Sequence, residues 1–261
     1  MFKLTQPTVS SLPVLANLPH SGLFVPEAIR RQFTASHQAF LPNQDWHLDQ
    51  LYDFLPRLGV TMLQATHSRY VVDLNRALKP PYFGNFWSAV VAEKTAFNQP
   101  LYDILPSPKE IEQRLEDYYR PYHAALESQL NRLIEQFGKV YLLDLHSFYG
   151  SITDDICLGN ANGKSCSNLL IDTVDKAFAN EGFGVVCNKV FNGGYITQHY
   201  GSLPNVEALQ IEVRYSVYLD ESQLEEGQIP DWQVSQFDQA KLRFKQGFKQ
   251  IIETLSAPAT A

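Results

Sequence analysis

The chain has 261 residues, 44% of them hydrophobic, and a formal charge of −7. That apolar content suffices for a substantial core and excludes global disorder. The mild acidity, with no run of five like charges, leaves no nucleic-acid footprint. Three cysteines, Cys157, Cys166 and Cys187, with no CxxC pair, fit a reducing compartment better than a disulfide framework.

In the N-terminal stretch MFKLTQPTVSSLPVLANLPH the apolar run extends only from Val14 to Leu18, too short for a signal sequence or a membrane span. The expectation is a soluble, cytoplasmic protein with no membrane or nucleic-acid partner. PVLANLPHSG reads as a short strand that ends at a loop holding His20, Ser21 and Gly22. Pro26 suits the first turn of a helix in PEAIRRQF. In DWHLDQLYDFLPRLG, Leu48, Leu51, Tyr52 and Leu55 recur at helical steps and Gly59 closes the element. VTMLQAT is a strand by its β-branched and apolar content. Residues 79–108, rich in proline and aromatics, form a long excursion of the kind that serves as a lid or binding loop.

The segment from Pro108 to Gly138 is helical, with Pro121 expected to kink or divide it. KVYLLDLHSF is the clearest buried strand. A polar loop over residues 150–164 leads to a helix over 165–181, and GFGVVCNKV is a further strand. FNGGYITQHYGSLPN reads as a loop, VEALQIEVR as a strand and DWQVSQFDQAKLRFKQGFKQIIETL as an amphipathic helix. The tail SAPATA is expected to fray. This alternation predicts one α/β domain over residues 1–261, a mostly parallel, mixed sheet with helices on both faces.

In such sheets ligands bind outside the carboxyl ends of the strands. The strand ends supply His20, then Asp144 and His146, then Glu212 and Arg214. Two neutral imidazoles suit a divalent metal, and a third ligand should come from an acid or another histidine near His20. Asp45 is the expected one, with Asp49 one turn on as the alternative; Asp45 is more simply a helix N-cap. Asp144, two residues before His146, can accept the other N–H of an imidazole. Glu212 is the expected general base, although it could merely pair with Arg214. Arg69 and Arg76 could grip a carboxylate or form a structural ion pair such as Arg76 with Asp73. Ser21 and Cys166 lack the surroundings of a nucleophile, since no GxSxG or papain-like signature is present.

The blocks PHSG, DWHLDQLYDF, HSRYVVDLNR, RPYH, DLHSF, ITQHYG and LQIEVRYSVYL, in that order over about residues 12–220, resemble the N-formylglutamate amidohydrolase family. The resemblance implies a fold related to zinc-dependent exopeptidases. It also implies metal-dependent hydrolysis of N-formyl-L-glutamate to formate and L-glutamate, a closing step of one histidine-degradation route. It matches His20, Asp45 and His146 to the ligands of one divalent ion, zinc by expectation, and Glu212 to the base. It also matches Arg69, Asn75 and Arg76 to grips for a small anionic N-acyl amino acid, and His199 to a contact with substrate or the developing oxyanion. In the family the loop reads GGHITRHYG; here it is GGYITQHYG. Tyr195 and Gln198 therefore replace a histidine and an arginine, which puts the identity of the amino acid in doubt. Arg214, where some members carry a small residue, could restore positive charge.

Overall fold

The structure, a computed structural model, describes residues 1–150, 153–225 and 227–256. Two residues of the expected 150–164 loop and all but the first residue of the tail SAPATA lie outside the described residues. The strands are β1 (Phe2–Thr5), β2 (Val14–Leu18), β3 (Thr61–Ala65), β4 (Phe83–Gly84), β5 (Val91–Ala92), β6 (Val140–Phe148), β7 (Ile156–Gly159), β8 (Val185–Cys187) and β9 (Val206–Arg214). Seven of them form one sheet in the order β1-β3-β2-β6-β9-β7-β8, while β4 and β5 pair separately. The centre, β3-β2-β6-β9, is parallel. Strands β1 and β7 join it antiparallel. The mixed, largely parallel α/β class expected from the alternation is the class observed.

Side-chain alternation divides each central strand between two cores. Val14, Ala16 and Leu18 of β2, with Tyr141, Leu143 and Leu145 of β6 and Leu209, Ile211 and Val213 of β9, pack with the helices Asn168–Asn180 and Ser235–Ser256. Leu15, Leu142 and Ala208 point the other way, into a core built with Leu126, Leu130 and Leu133 of the helix Arg120–Phe137. Both faces are covered, which is why these strands read as nearly continuous apolar runs. Asn17, Asp144, His146, Gln210 and Glu212 share the alternation of Leu15, Leu142 and Ala208. That face turns polar as it approaches the carboxyl ends of the strands, yet all five residues are buried.

Several elements differ from the sequence reading. The helix expected from Asp45 is confined to Leu48–Leu51, followed by a 3-10 turn at Leu55–Leu58. His47, in the left-handed region at φ 55°, makes the turn into it, so Asp45 lies in a loop rather than at a helix N-cap. The helix from Pro108 stays continuous past Pro121 by widening to a π-helical turn at Leu115–Tyr119, just ahead of the proline that cannot donate a hydrogen bond. The 150–164 region contains strand β7, and the GGYITQHYG loop contains the helix Tyr195–Tyr200. The 79–108 excursion is anchored rather than loose. Phe86, Ala92, Leu101 and Tyr102 join Val25, Phe33, Tyr70 and Val71 in a small core of their own. Among the described residues no helix is long and apolar enough to cross a membrane.

Candidate active site

Strands β2, β6 and β9 are neighbours, so their polar ends meet. His146 lies within β6, not beyond it, directly in register with Glu212 of β9. Asn17 of β2 pairs in register with Asp144. His20 follows β2 by two residues, and the chain then turns at Gly22, where any side chain would collide with the backbone of Thr66 and His67. The loop carrying Asp45 is tied to the same edge. The Asp45 N–H donates to the His20 carbonyl at 3.3 Å. The Tyr215 hydroxyl donates to the carbonyl of Gln44 and the Tyr218 hydroxyl to that of Trp46, so residues just after β9 hold both neighbours of Asp45.

The result is a buried group of one carboxylate and two imidazoles. Ligand atoms of His20, Asp45 and His146 lie within 4.8 Å of one another. Asp45 Oδ2 is 3.0 Å from His146 Nδ1 and 3.8 Å from His20 Nδ1. The far side of each ring faces its own aspartate. His20 Nε2 donates to Asp73 Oδ1 at 2.8 Å, and His146 Nε2 lies 3.2 Å from Asp144 Oδ1. Asn17 and Thr197 donate to Asp144 in turn, at 2.8 and 3.1 Å. With both outer nitrogens engaged, the two Nδ1 atoms turn toward Asp45, the arrangement that fixes imidazole orientation at a metal centre. Asp49 is not part of this group; its carboxylate accepts from Gln50.

The charge states follow from burial and neighbours. Burial, reinforced by the Arg69 guanidinium, pushes His20 down to about 4 against the pull of Asp73, leaving it neutral. Burial works against the charged form of His146 too, but Asp144, backed by Asp45, holds it well above the ordinary value. The proton between His146 Nδ1 and Asp45 is the one a cation would displace. Asp73 resists the upward push of burial because Arg69 and Arg76 hold its carboxyl well below the usual range. Burial raises Glu212 to about 7, with Asp45 pushing the same way and His146 opposing. A carboxylate poised there can accept and return a proton at neutral pH. Gln210 donates to Glu212 Oε1 at 2.7 Å, and its own carbonyl oxygen accepts from the Gly194 N–H, while among the described residues no hydrogen bond engages Oε2.

A cavity of about 530 Å3 opens onto His20, Asp45, His146, Glu212, Arg69, Asn75 and Arg76. The arginines serve a structural pairing whatever else they do. Arg69 donates to Asp73 at 2.6 Å and Arg76 approaches it at 3.6 Å, while Arg69 also lies 4.7 Å over the Phe86 ring. The Asn75 amide nitrogen is 3.1 Å from His146 Nε2, and its oxygen accepts from the Ile196 N–H. A side chain at Gly194 would run into that amide. Gln198 and His199 are exposed and line an adjoining cavity instead. Gln198 donates to the Gly193 carbonyl at 2.6 Å, and His199 stacks on Tyr195. Arg214, expected near the substrate, does not line the central cavity; it ends β9 where the chain turns into Tyr215–Val217 and its N–H donates to the Asp155 carbonyl. Sequence reasoning missed the role of Asp73 toward His20 and that of Gln210 toward Glu212. For Gln210 a signal existed, because it shares the strand face of Glu212 in LQIEVR.

A parallel-centred sheet whose carboxyl edge carries paired imidazoles, an aspartate and a glutamate poised near neutrality defines a class. It is an α/β protein with a buried, titratable polar site at the carboxyl edge of its sheet, where small ligands bind in such folds. Comparison with known proteins narrows that class. Residues 12–219 match the family model for N-formylglutamate amidohydrolase, and the chain belongs to that family. It is 37% identical over 228 residues to an N-formylglutamate deformylase of Pseudomonas putida, covering 81% of this chain and 84% of the relative. A second N-formylglutamate deformylase, from Pseudomonas aeruginosa, is 34% identical over 222 residues, covering 80% and 83%. The fold superimposes on the crystal structure of an N-formylglutamate amidohydrolase from Ralstonia eutropha JMP134 with a TM-score of 0.83 and 25% identity, covering 97% of this chain and 96% of that one.

Proposed function

We propose that the protein hydrolyses the amide of N-formyl-L-glutamate to formate and L-glutamate, closing a route of histidine degradation in the cytoplasm. The observation that carries this reading is the meeting of His20, Asp45, His146 and Glu212 in one cavity, in a chain of this family. Two nitrogens and a carboxylate oxygen, with both imidazoles oriented from behind, fit a single divalent ion, and zinc suits that donor set. When bound, such an ion would polarise the amide carbonyl and make water a better acid.

The remaining work falls to the chain's own groups. Glu212, held at Oε1 by Gln210, takes the proton of the attacking water at Oε2 and delivers it to the departing amine nitrogen. Arg69 and Arg76, two guanidinium groups around the one carboxylate of Asp73, leave a net positive charge on the cavity wall. That charge orients the carboxylates of the substrate. Asn75 lies against His146 and borders the substrate on the same wall. His199, in the adjoining cavity, meets the substrate at its outer end.

Purified protein incubated with N-formyl-L-glutamate should release formate, lose that activity to a chelator and regain it with zinc. Protein shown by elemental analysis to carry metal, yet releasing no formate, would refute the reading. A neighbouring reading, hydrolysis of another small N-acyl amino acid, draws on Gln198. Its neutral amide is tied to the Gly193 carbonyl where the family's loop places a cation. Formate release across a series of N-formyl amino acids separates the two.

A further inference from the structure

The block RPYH has no part in the chemistry above, yet its histidine reaches the back of the site. His123 Nε2 lies 3.0 Å from the carbonyl of Leu74. A carbonyl only accepts, so Nε2 carries the proton. His123 Nδ1 then accepts from the Tyr200 hydroxyl at 2.9 Å. Burial, which lowers His123 to about 4, keeps the ring in this neutral form. Four residues earlier, the Tyr119 hydroxyl donates to the carbonyl of Arg76 at 2.7 Å. The two rings lie against each other, centroids 4.3 Å apart, as neighbours on one helix face do.

The carbonyls they hold flank a short segment with no regular structure of its own. Asn75 between them meets His146, and Asp73, immediately before Leu74, holds His20. Asp73 Oδ1 also accepts from the Asn75 N–H at 2.9 Å. Displacement of this segment would therefore shift the partners of both imidazoles together. The π-helical turn ends at Tyr119; such turns re-aim the residues that follow them.

We infer that Tyr119 and His123 are positioning residues. They clamp the Leu74 and Arg76 carbonyls and so set Asp73 and Asn75 against His20 and His146. The inference rests on the proposed metal-dependent reaction for its effect on rate, but its geometry concerns only the orientation of the imidazoles.

The test compares His123→Phe, His123→Asn and Tyr119→Phe with the wild type. Zinc affinity is read by calorimetry and formate release by kcat and KM, with thermal unfolding recorded alongside. Zinc affinity and kcat should each fall by about 10-fold in His123→Phe, the low end of the scale for losing an outer partner at a metal site outright, with KM little changed. His123→Asn, which keeps an N–H donor, should recover much of the loss. If His123→Phe does not fold, Tyr119→Phe, which removes one hydroxyl, should show the same pattern more weakly. Variants that melt earlier but bind zinc and turn over like the wild type would overturn the clamp. Wild-type protein that binds zinc but releases no formate would refute the substrate, and the zinc affinities alone would still decide the clamp.

Discussion

Two cavities share a wall of Asn75, Arg76, Trp87 and Gly194, and they are built on opposite principles. In and behind the wall of the inner one, His20, Asp45, Asp73, Asp144, His146, Gln210 and Glu212 are buried, and the polar groups hold one another. In the outer one, Lys79, Trp87, Gln198 and His199 are exposed, on the 79–108 excursion and the short helix Tyr195–Tyr200. Buried groups at low effective dielectric respond steeply to small changes in geometry or charge, whereas exposed ones are screened. On the proposed reading the inner cavity sets the reaction and the outer one adjusts which ligand is preferred.

The largest break of this comparison comes from Glu212→Gln. The change keeps the shape and removes the proton acceptor, so kcat should fall by about 10²- to 10⁴-fold while elemental analysis finds the metal retained. Comparable turnover would remove Glu212 from the chemistry. The pH profile sharpens the point. Glu212 must be deprotonated to act as a base, and burial raises it to about 7. The rate should therefore climb along an acidic limb and flatten above it, with the midpoint at or below about 7, because a bound cation favours the carboxylate. A rate that is flat from pH 5 to 8 would contradict this assignment.

The next effect separates the two aspartates behind the imidazoles. Asp73→Asn and Asp144→Asn should each lower zinc affinity by about 10- to 100-fold. Only the first also leaves the buried Arg69 guanidinium without its carboxylate. Breaking a buried ion pair from one side costs about 3–5 kcal/mol, so Asp73→Asn should unfold at distinctly lower denaturant than Asp144→Asn. Equal stability in the two variants would mean that Arg69 draws its support from Phe86 and the Asn43 carbonyl instead.

The contrast also shows what could be read from the sequence. The central strands announce themselves as apolar runs because both faces are covered, and period-two counting places Asp144 with His146 on one side of β6. Strand β7 escaped, being four residues flanked by polar chain and paired antiparallel at the far side of β9. Asp73 was legible only as an ion-pair partner of an arginine. Its contact with His20 spans 53 residues and depends on a turn that has no periodicity. Asp45 was placed correctly beside His20 although its local setting was not: a loop pinned by Tyr215 and Tyr218 does what a helix start was expected to do. His199 and Arg214 carry the right chemistry for the central site, but tertiary placement sets one in the adjoining cavity and the other off the central wall.

The smallest expected effect lies in the outer cavity. Gln198 is exposed and sits with Arg76 and Lys79 in the cavity lining, so Gln198→Arg adds a cation at little structural cost. An exposed ion pair contributes about 0.2–1 kcal/mol, equivalent to a fall in KM for N-formyl-L-glutamate of about fivefold at most. Because the group is exposed, the gain should shrink as ionic strength rises and the Debye length falls below about 8 Å. The value of kcat should not move, since the new charge lies outside the central cavity and meets Glu212 only through the Gly193–Gly194 peptide and Gln210. A change in kcat with KM unaltered would mean that the short helix Tyr195–Tyr200 communicates with the inner site. The contact for that exists, because the Ile196 N–H donates to the Asn75 oxygen and Thr197 to Asp144. The KM-to-kcat ratio at this one position thus tells whether the boundary between the cavities is also a boundary between binding and chemistry.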